Sequence, residues 1–152
     1  MSETPTPALT VEDHRKAFIE VSFLLNIFAT TVQDLMGGAT APVGRIAGRQ
    51  AAAKLPVYLP EPTLDKVLGE LSGRLARGFE ISYRVTGRSA EVSFGRCAIR
   101  DACRAQGLAP GRELCSLFHY YLDGMVNGLL HRPVKSSLSE TGERCTTRLE
   151  TR

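Results

Sequence analysis

A chain of 152 residues fits one compact domain and leaves little room for a second. Hydrophobic residues at 43% and charged residues at 23% exclude disordered, coiled-coil and collagen-like chains. The charge of +3 is a weak excess spread along the chain, so a nucleic-acid partner is not expected.

The first ten residues hold two prolines and no basic cluster, and are read as a flexible segment, 1–10, ahead of a single domain, 11–152. Their lack of a presequence pattern gives a cytoplasmic expectation. Thr10 and Asp13 form a capping-box pattern. From there Ala17, Val21, Leu24, Leu25, Phe28 and Val32 recur at helical spacing up to Gly37-Gly38. This most apolar segment is interrupted by Glu20, Asn26, Gln33 and Asp34, so it is expected to be a core helix and not a membrane span. A second helix, about 42–54, carries Gly44, Ala47, Gly48 and Ala51 at three- and four-residue steps, which suits close packing. A third, 63–77, aligns Leu64, Val67, Leu68, Leu71 and Leu75 on one face.

At Phe79 the period changes to two. Phe79, Ile81, Tyr83 and Val85 alternate with polar residues, and after Gly87-Arg88-Ser89 so do Ala90, Val92 and Phe94, which predicts a hairpin. A short helix at 98–106, a long one at 113–130 and a second hairpin, 134–140 with 144–150, complete the chain. The expected fold is α+β, in the order ααα-ββ-αα-ββ, with helices on one face of an antiparallel sheet of about four strands.

All four cysteines, Cys97, Cys103, Cys115 and Cys145, lie in the second half. Cys115 and His119 are four apart on a helix and point the same way. A final hairpin added to the same sheet would bring Cys145 toward them. Four thiolates suit a [4Fe-4S] cluster or, alternatively, a zinc ion, in which a histidine can replace one sulfur. Neither the Cys-x-x-Cys knuckle nor the ferredoxin run is present. Arg96, Arg100, Arg104, Arg112, Arg144 and Arg148 lie near the cysteines in sequence, where positive charge favours thiolates. Buried, unligated thiols are the plain alternative, and disulfides a further one.

Asp123, four after His119, is placed to orient it, although a solvated surface carboxylate is the simpler expectation. Gly124 and Gly128 make a Gly-x-x-x-Gly step inside the long helix, where each costs about 1 kcal/mol relative to alanine, so helix packing or the bulk of a bound cofactor is needed to explain them. With the small-residue face of Gly44 and Gly48 they suggest a homodimer interface. No nucleophile elbow, phosphate loop, dinucleotide fingerprint or His-Glu-x-x-His is present in the sequence.

The segments Cys97-Ala-Ile-Arg-Asp-Ala-Cys103, Leu114-Cys115-Ser-Leu-Phe-His119-Tyr-Tyr-Leu-Asp-Gly124-Met-Val-Asn-Gly128 and Thr141-Gly142-Glu-Arg-Cys145 resemble the 4-vinyl reductase domain family. The likeness covers roughly the last 60 residues, and the first half only through element order. It implies a ligand-enclosing fold shared with small subunits of the TRAPP tethering complex and with haem-based nitric-oxide-sensing domains, commonly as homodimers. It also implies a metal-binding or ligand-sensing set at Cys97, Cys115, His119 and Cys145, with Cys103 less general. The family often has two cysteines flanking the glycine of the last hairpin, whereas here only Cys145 follows Gly142.

The expected function is a metal-centred module that binds a small apolar ligand, as a sensor or an accessory redox subunit in a homodimer or larger complex. The alternatives are a reductase component acting on a tetrapyrrole-like substrate and a structural dimerisation subunit.

Overall fold

The computed structural model describes residues 8–152. The expectation of a flexible N-terminal segment therefore lies outside the described residues for 1–7, whereas Thr10 is the N-cap of the first helix. Its hydroxyl accepts from the Asp13 backbone N–H, and the Asp13 carboxylate accepts from the Thr10 backbone N–H in return.

Five helices and four strands make up the described residues: α1 (Val11–Met36), α2 (Thr40–Lys54), α3 (Leu64–Leu75), β1 (Phe79–Thr86), β2 (Ser89–Cys97), α4 (Ala98–Ala105), α5 (Glu113–Leu130), β3 (Val134–Glu140) and β4 (Cys145–Thr151). The strands form one antiparallel sheet in the order β1-β2-β4-β3. The two hairpins therefore meet along β2 and β4, where Ala90 pairs with Leu149, Val92 with Thr147 and Phe94 with Cys145.

One face of the sheet is covered. On β2 and β4 every second residue is buried, Ala90, Val92 and Phe94 beside Cys145, Thr147 and Leu149, as a strand with one solvated face requires. Against this layer pack Val67, Leu68 and Leu71 of α3 and Met125, Val126 and Leu129 of α5, forming the main core. A smaller cluster of Cys103, Leu114 and Cys115, with Ile99 and Leu108 against it, joins α4 to α5.

The tightest helix contact is that of α2 on α5. A Cβ added at Gly44 would lie 2.6 Å from the Tyr120 Cβ, and one at Gly128 would lie 2.7 Å from the Ala52 Cβ. A Cβ at Gly48 would run into the Tyr121 carbonyl oxygen, and one at Gly124 into that of Arg45. Each glycine thus lets the other helix's backbone approach where any side chain would hold it off. The buried stripe of α2 is Thr40, Gly44, Gly48 and Ala52, while Ala47 faces solvent. This corrects the expected dimer seam: the two small-residue faces pack on each other within one chain, and the bare faces of Gly124 and Gly128 are filled by α2.

A second correction concerns α1. It is long and apolar enough to cross a membrane by length and composition, but it is not a core helix. Only Ser22 and Ala29 are buried, whereas Leu24 is 67% and Phe28 58% exposed. The stripe turned to the domain runs through Ile19, Ser22, Asn26, Ala29 and Gln33. It is held by the Gln106 amide donating to the Ile19 carbonyl at 3.1 Å and by the Thr40 hydroxyl donating to the Gln33 side chain at 2.7 Å.

Gly48→Val tests the helix contact. Overpacking of this kind costs about 1–3 kcal/mol, and because the obstacle is backbone on both sides the upper end is expected. Urea unfolding should show a lower midpoint, and an unchanged midpoint would mean that α2 and α5 stand further apart.

Candidate functional site

Between α3, α5 and the sheet lies a cavity of about 30 Å³, counted as the space open to the centre of a water molecule. Leu68, Leu71, Val92, Phe94, Leu122 and Val126 supply most of its wall, and Ser72, Ile81, Thr147 and Leu149 complete it beside two titratable groups, His119 and Asp123. Larger hollows are open surface grooves; one of about 450 Å³ runs past the exposed Tyr58. This inner cavity combines an apolar wall with the half-buried His119 and the buried Asp123, the combination that marks a small-molecule site.

His119 comes from α5 one turn after Cys115. Its ring meets Phe94 edge-on, with centroids 5.3 Å apart, and Phe118 at 5.9 Å, while Phe118 stacks on Phe79 at 4.6 Å. Burial among these rings pushes the imidazole pKa down to about 4, so His119 is neutral at pH 7 and presents one donor and one acceptor nitrogen.

Asp123 is 3% exposed, which overturns its expected place on the solvated surface. Burial pushes its carboxyl up to about 6; the Ser136 hydroxyl, which donates to it, and Arg45, whose Nε stands 3.7 Å away, pull it down by less. Arg45 also lies over the Tyr120 ring, 4.9 Å from its centroid. Asp123 therefore joins α2, α5 and β3 at the edge of the cavity. Its sequence signal was the four-residue step from His119, but helical spacing does not reveal that α2 and β3 close over this turn.

The cysteines are all buried and all free. Cys103 and Cys115 share the α4–α5 cluster with Leu114. Burial first, and then the neighbouring Cys115, pushes the Cys103 thiol up to about 12. Cys97, at the end of β2, is close enough to both to affect Cys103 and to be affected by Cys115; burial raises its thiol more than Arg100 lowers it. Cys145 faces the main core from β4. Among the described residues no group of three or more His, Cys, Asp or Glu side chains converges as a metal site requires. The fold thus brings Cys97, Cys103 and Cys115 into one neighbourhood, with Cys145 across Arg100 and His119 in the cavity wall.

Of the six arginines expected to favour thiolates, only Arg100 is buried, at 5% exposure; the others face solvent. Its guanidinium donates to the Gly95 carbonyl and lies 4.0 Å from the Cys145 sulfur, while its Nε has no partner.

No protein-family model matches the sequence, and no curated relative matches it significantly. Solved structures do match in fold. The phenol-responsive sensory domain of the transcription activator PoxR, crystallised with phenol, is similar with a TM-score of 0.58 at 11% identity, over 88% of this chain and 74% of that one. A doubly substituted form of the Tt H-NOX domain matches with a TM-score of 0.49 at 12% identity, over 100% of this chain and 77% of that one. The chain therefore shares the α+β fold of the PoxR sensory domain.

The two titratable groups oppose each other in pH dependence. Asp123, with its folded pKa raised, adds stability that is present below about 4 and lost as pH rises through about 6, an effect of up to ~3 kcal/mol. His119, with its folded pKa depressed, adds stability that is present above about 6.5 and lost as pH falls through about 4. Relative to the unaltered protein, Asp123→Asn should lose more stability on acidification across this window, and His119→Gln should lose less. Melting temperatures measured from pH 4 to pH 7 check the signs; parallel curves for all three proteins would show that neither group is buried as described.

Proposed function

We propose that this protein is a small-molecule sensory module that takes an apolar ligand into the cavity between α3, α5 and the sheet. The observation that carries this reading is the pairing of a nearly all-apolar wall with His119, which burial keeps neutral at pH 7, and Asp123, whose carboxyl burial pushes up to about 6. An apolar wall supplies affinity through burial, at about 25 cal/mol per Å². A few fixed polar groups supply orientation, so the class that fits is a compact hydrocarbon or ring with one hydroxyl or similar handle. The phenol bound by the similarly folded PoxR domain belongs to that class.

The cavity is small, so a ring enters only as Leu68, Leu71 and Leu122 change rotamer, and ligand uptake is thereby coupled to the α3–α5 packing. A tetrapyrrole would require the helical layer to part from the sheet, which speaks against a tetrapyrrole reductase. Membership in the 4-vinyl reductase domain family remains a proposal resting on the cysteine, histidine and glycine spacings of the second half.

A second reading, the metal centre, has one observation in its favour. Arg100 is a buried cation with an unpartnered Nε near the Cys145 and Cys97 thiols, and a buried charge needs a counter-charge that an anionic thiolate centre would supply. Against it stand the raised Cys97 and Cys103 thiols and the lack of three convergent ligands among the described residues. Anaerobic purification with metal analysis decides between them. Brown, iron-containing protein or stoichiometric zinc that Cys115→Ser loses would establish the centre. Folded, metal-free protein with four titratable thiols would remove it.

Ligand binding is tested by calorimetry with phenol, benzyl alcohol and toluene. Val126→Phe should fill the cavity and abolish heat uptake while the far-ultraviolet circular dichroism is retained. Asp123→Asn should change affinity for the hydroxyl-bearing rings about 10-fold, the size of one hydrogen bond in a buried site, and leave toluene unaltered. Unchanged binding by Val126→Phe would place the ligand elsewhere.

A further inference from the structure

The cavity between α3, α5 and the sheet is too small for a ring as it stands, so one of its three walls must give way when a ligand enters. Two of the walls are held. The sheet is paired without interruption along β2 and β4 from Ser89 to Phe94, and α5 is locked to α2 by the backbone contacts at Gly44, Gly48 and Gly124. Helix α3 is firm at its start, where the Thr63 hydroxyl accepts from the Lys66 backbone N–H and Leu64, Val67 and Leu68 are buried.

Its second half is built to loosen. Gly69 and Gly73 stand one turn apart, and each weakens a helix about fivefold relative to alanine. The glycines of α5 are matched by the close approach of α2, and Gly69 makes room for the Tyr83 hydroxyl, which would lie 3.1 Å from a Cβ added there. Around Gly73 nothing lies within 4 Å. Packing therefore gives no reason for a glycine at this position, whereas a helix that must unwind does. The Ser72 hydroxyl works in the same direction, since it donates at 2.9 Å to the Gly69 carbonyl, the oxygen that the helix ladder offers to the Gly73 N–H. Two contacts oppose unwinding. The exposed Arg74–Glu70 pair is worth about twofold, and the Arg96 guanidinium reaches over from β2 to donate to the Ala76 carbonyl at 2.8 Å.

We propose that the stretch from Gly69 to Leu75 is the gate of the cavity, unwinding to admit a ligand while α5 and the sheet stay in place, with Arg96 as its latch. The gate rests on the reading of the cavity as a ligand site. Leu71 and Ser72 lie in this stretch and line the cavity, so their departure opens it directly. Segments that open for ligands are drawn from the least stable parts of a fold. Arg96, expected from its sequence position to favour a thiolate, instead holds the end of the gate shut.

Entry and exit pass through the same open state, so a change in its population scales both rates alike and leaves affinity unaltered. Two variants away from the cavity lining test this in the full chain, with 4-fluorophenol as the probe. Gly73→Ala, with free space around it, should slow association and dissociation about fivefold each. Arg96→Ala should speed both about fivefold, the size of one hydrogen bond. Fluorine NMR line shapes across a titration read the two rates, and the dissociation constant should stay within about twofold in both variants. Hydrogen exchange without ligand should show the Gly73, Arg74 and Leu75 amides exchanging on the order of tenfold faster than those of Met125 and Val126, and shifting in the two variants in the same direction as the binding rates. Binding whose rates neither variant changes would overturn the gate alone, and so would equal protection of α3 and α5. A change confined to the dissociation rate would mark an altered pocket and overturn it too. No binding of millimolar 4-fluorophenol by the unaltered protein would overturn the ligand reading together with the gate.

Discussion

The backbone-to-backbone contact of α2 with α5 is the constraint from which the rest follows. Gly44 and Gly48 on one helix, and Gly124 and Gly128 on the other, bring the two main chains together where a methyl group would not fit. With one side of α5 taken up by α2, its other side is left for the sheet, and His119, Leu122 and Val126 are set against Phe94 and Val92. Asp123 sits where the two sides meet, in reach of Arg45 from α2 and Ser136 from β3. The glycines thus act through helix packing: they orient the helix that lines the cavity.

The polar groups inside this frame are expensive. A neutral His119 among aromatic rings, a carboxyl at Asp123 with a raised pKa and a guanidinium at Arg100 with an unpartnered Nε each lose hydration that their neighbours only partly replace. Apolar residues of similar size would pack without that cost. Their placement at two points, the cavity edge and the cysteine cluster, concentrates the unmet polarity where an incoming molecule or group can satisfy it. The buried thiols show the same balance: positive charge near Cys97 in sequence is outweighed by burial in space.

Much of the architecture was legible in the sequence because it rests on local pattern. The Thr10–Asp13 cap, the period-two runs from Phe79 and Ala90 and the turn at Gly87-Arg88 each specify a backbone conformation from a few neighbouring residues. Helix α1 shows where periodicity stops. Its apolar spacing identifies a helix correctly, yet spacing alone cannot say whether the apolar stripe meets the domain or something outside it. Asp123 fails for a related reason: its burial comes from Arg45 and Ser136, both far away in sequence.

The sequence by itself determined the order and type of every element, the single antiparallel sheet and the candidate residues of the second half, since hydrophobic period, caps and turns act over a few residues. Only the tertiary structure decided which faces meet. It set α2 on α5 within one chain, separated His119 from Cys115 by turning one into the cavity wall and the other into the α4–α5 cluster, buried Asp123 and Arg100, and turned the apolar stripe of α1 outward. These outcomes depend on contacts between elements far apart in the chain, whose free energy belongs to shape and solvent exclusion and is not carried by any local pattern.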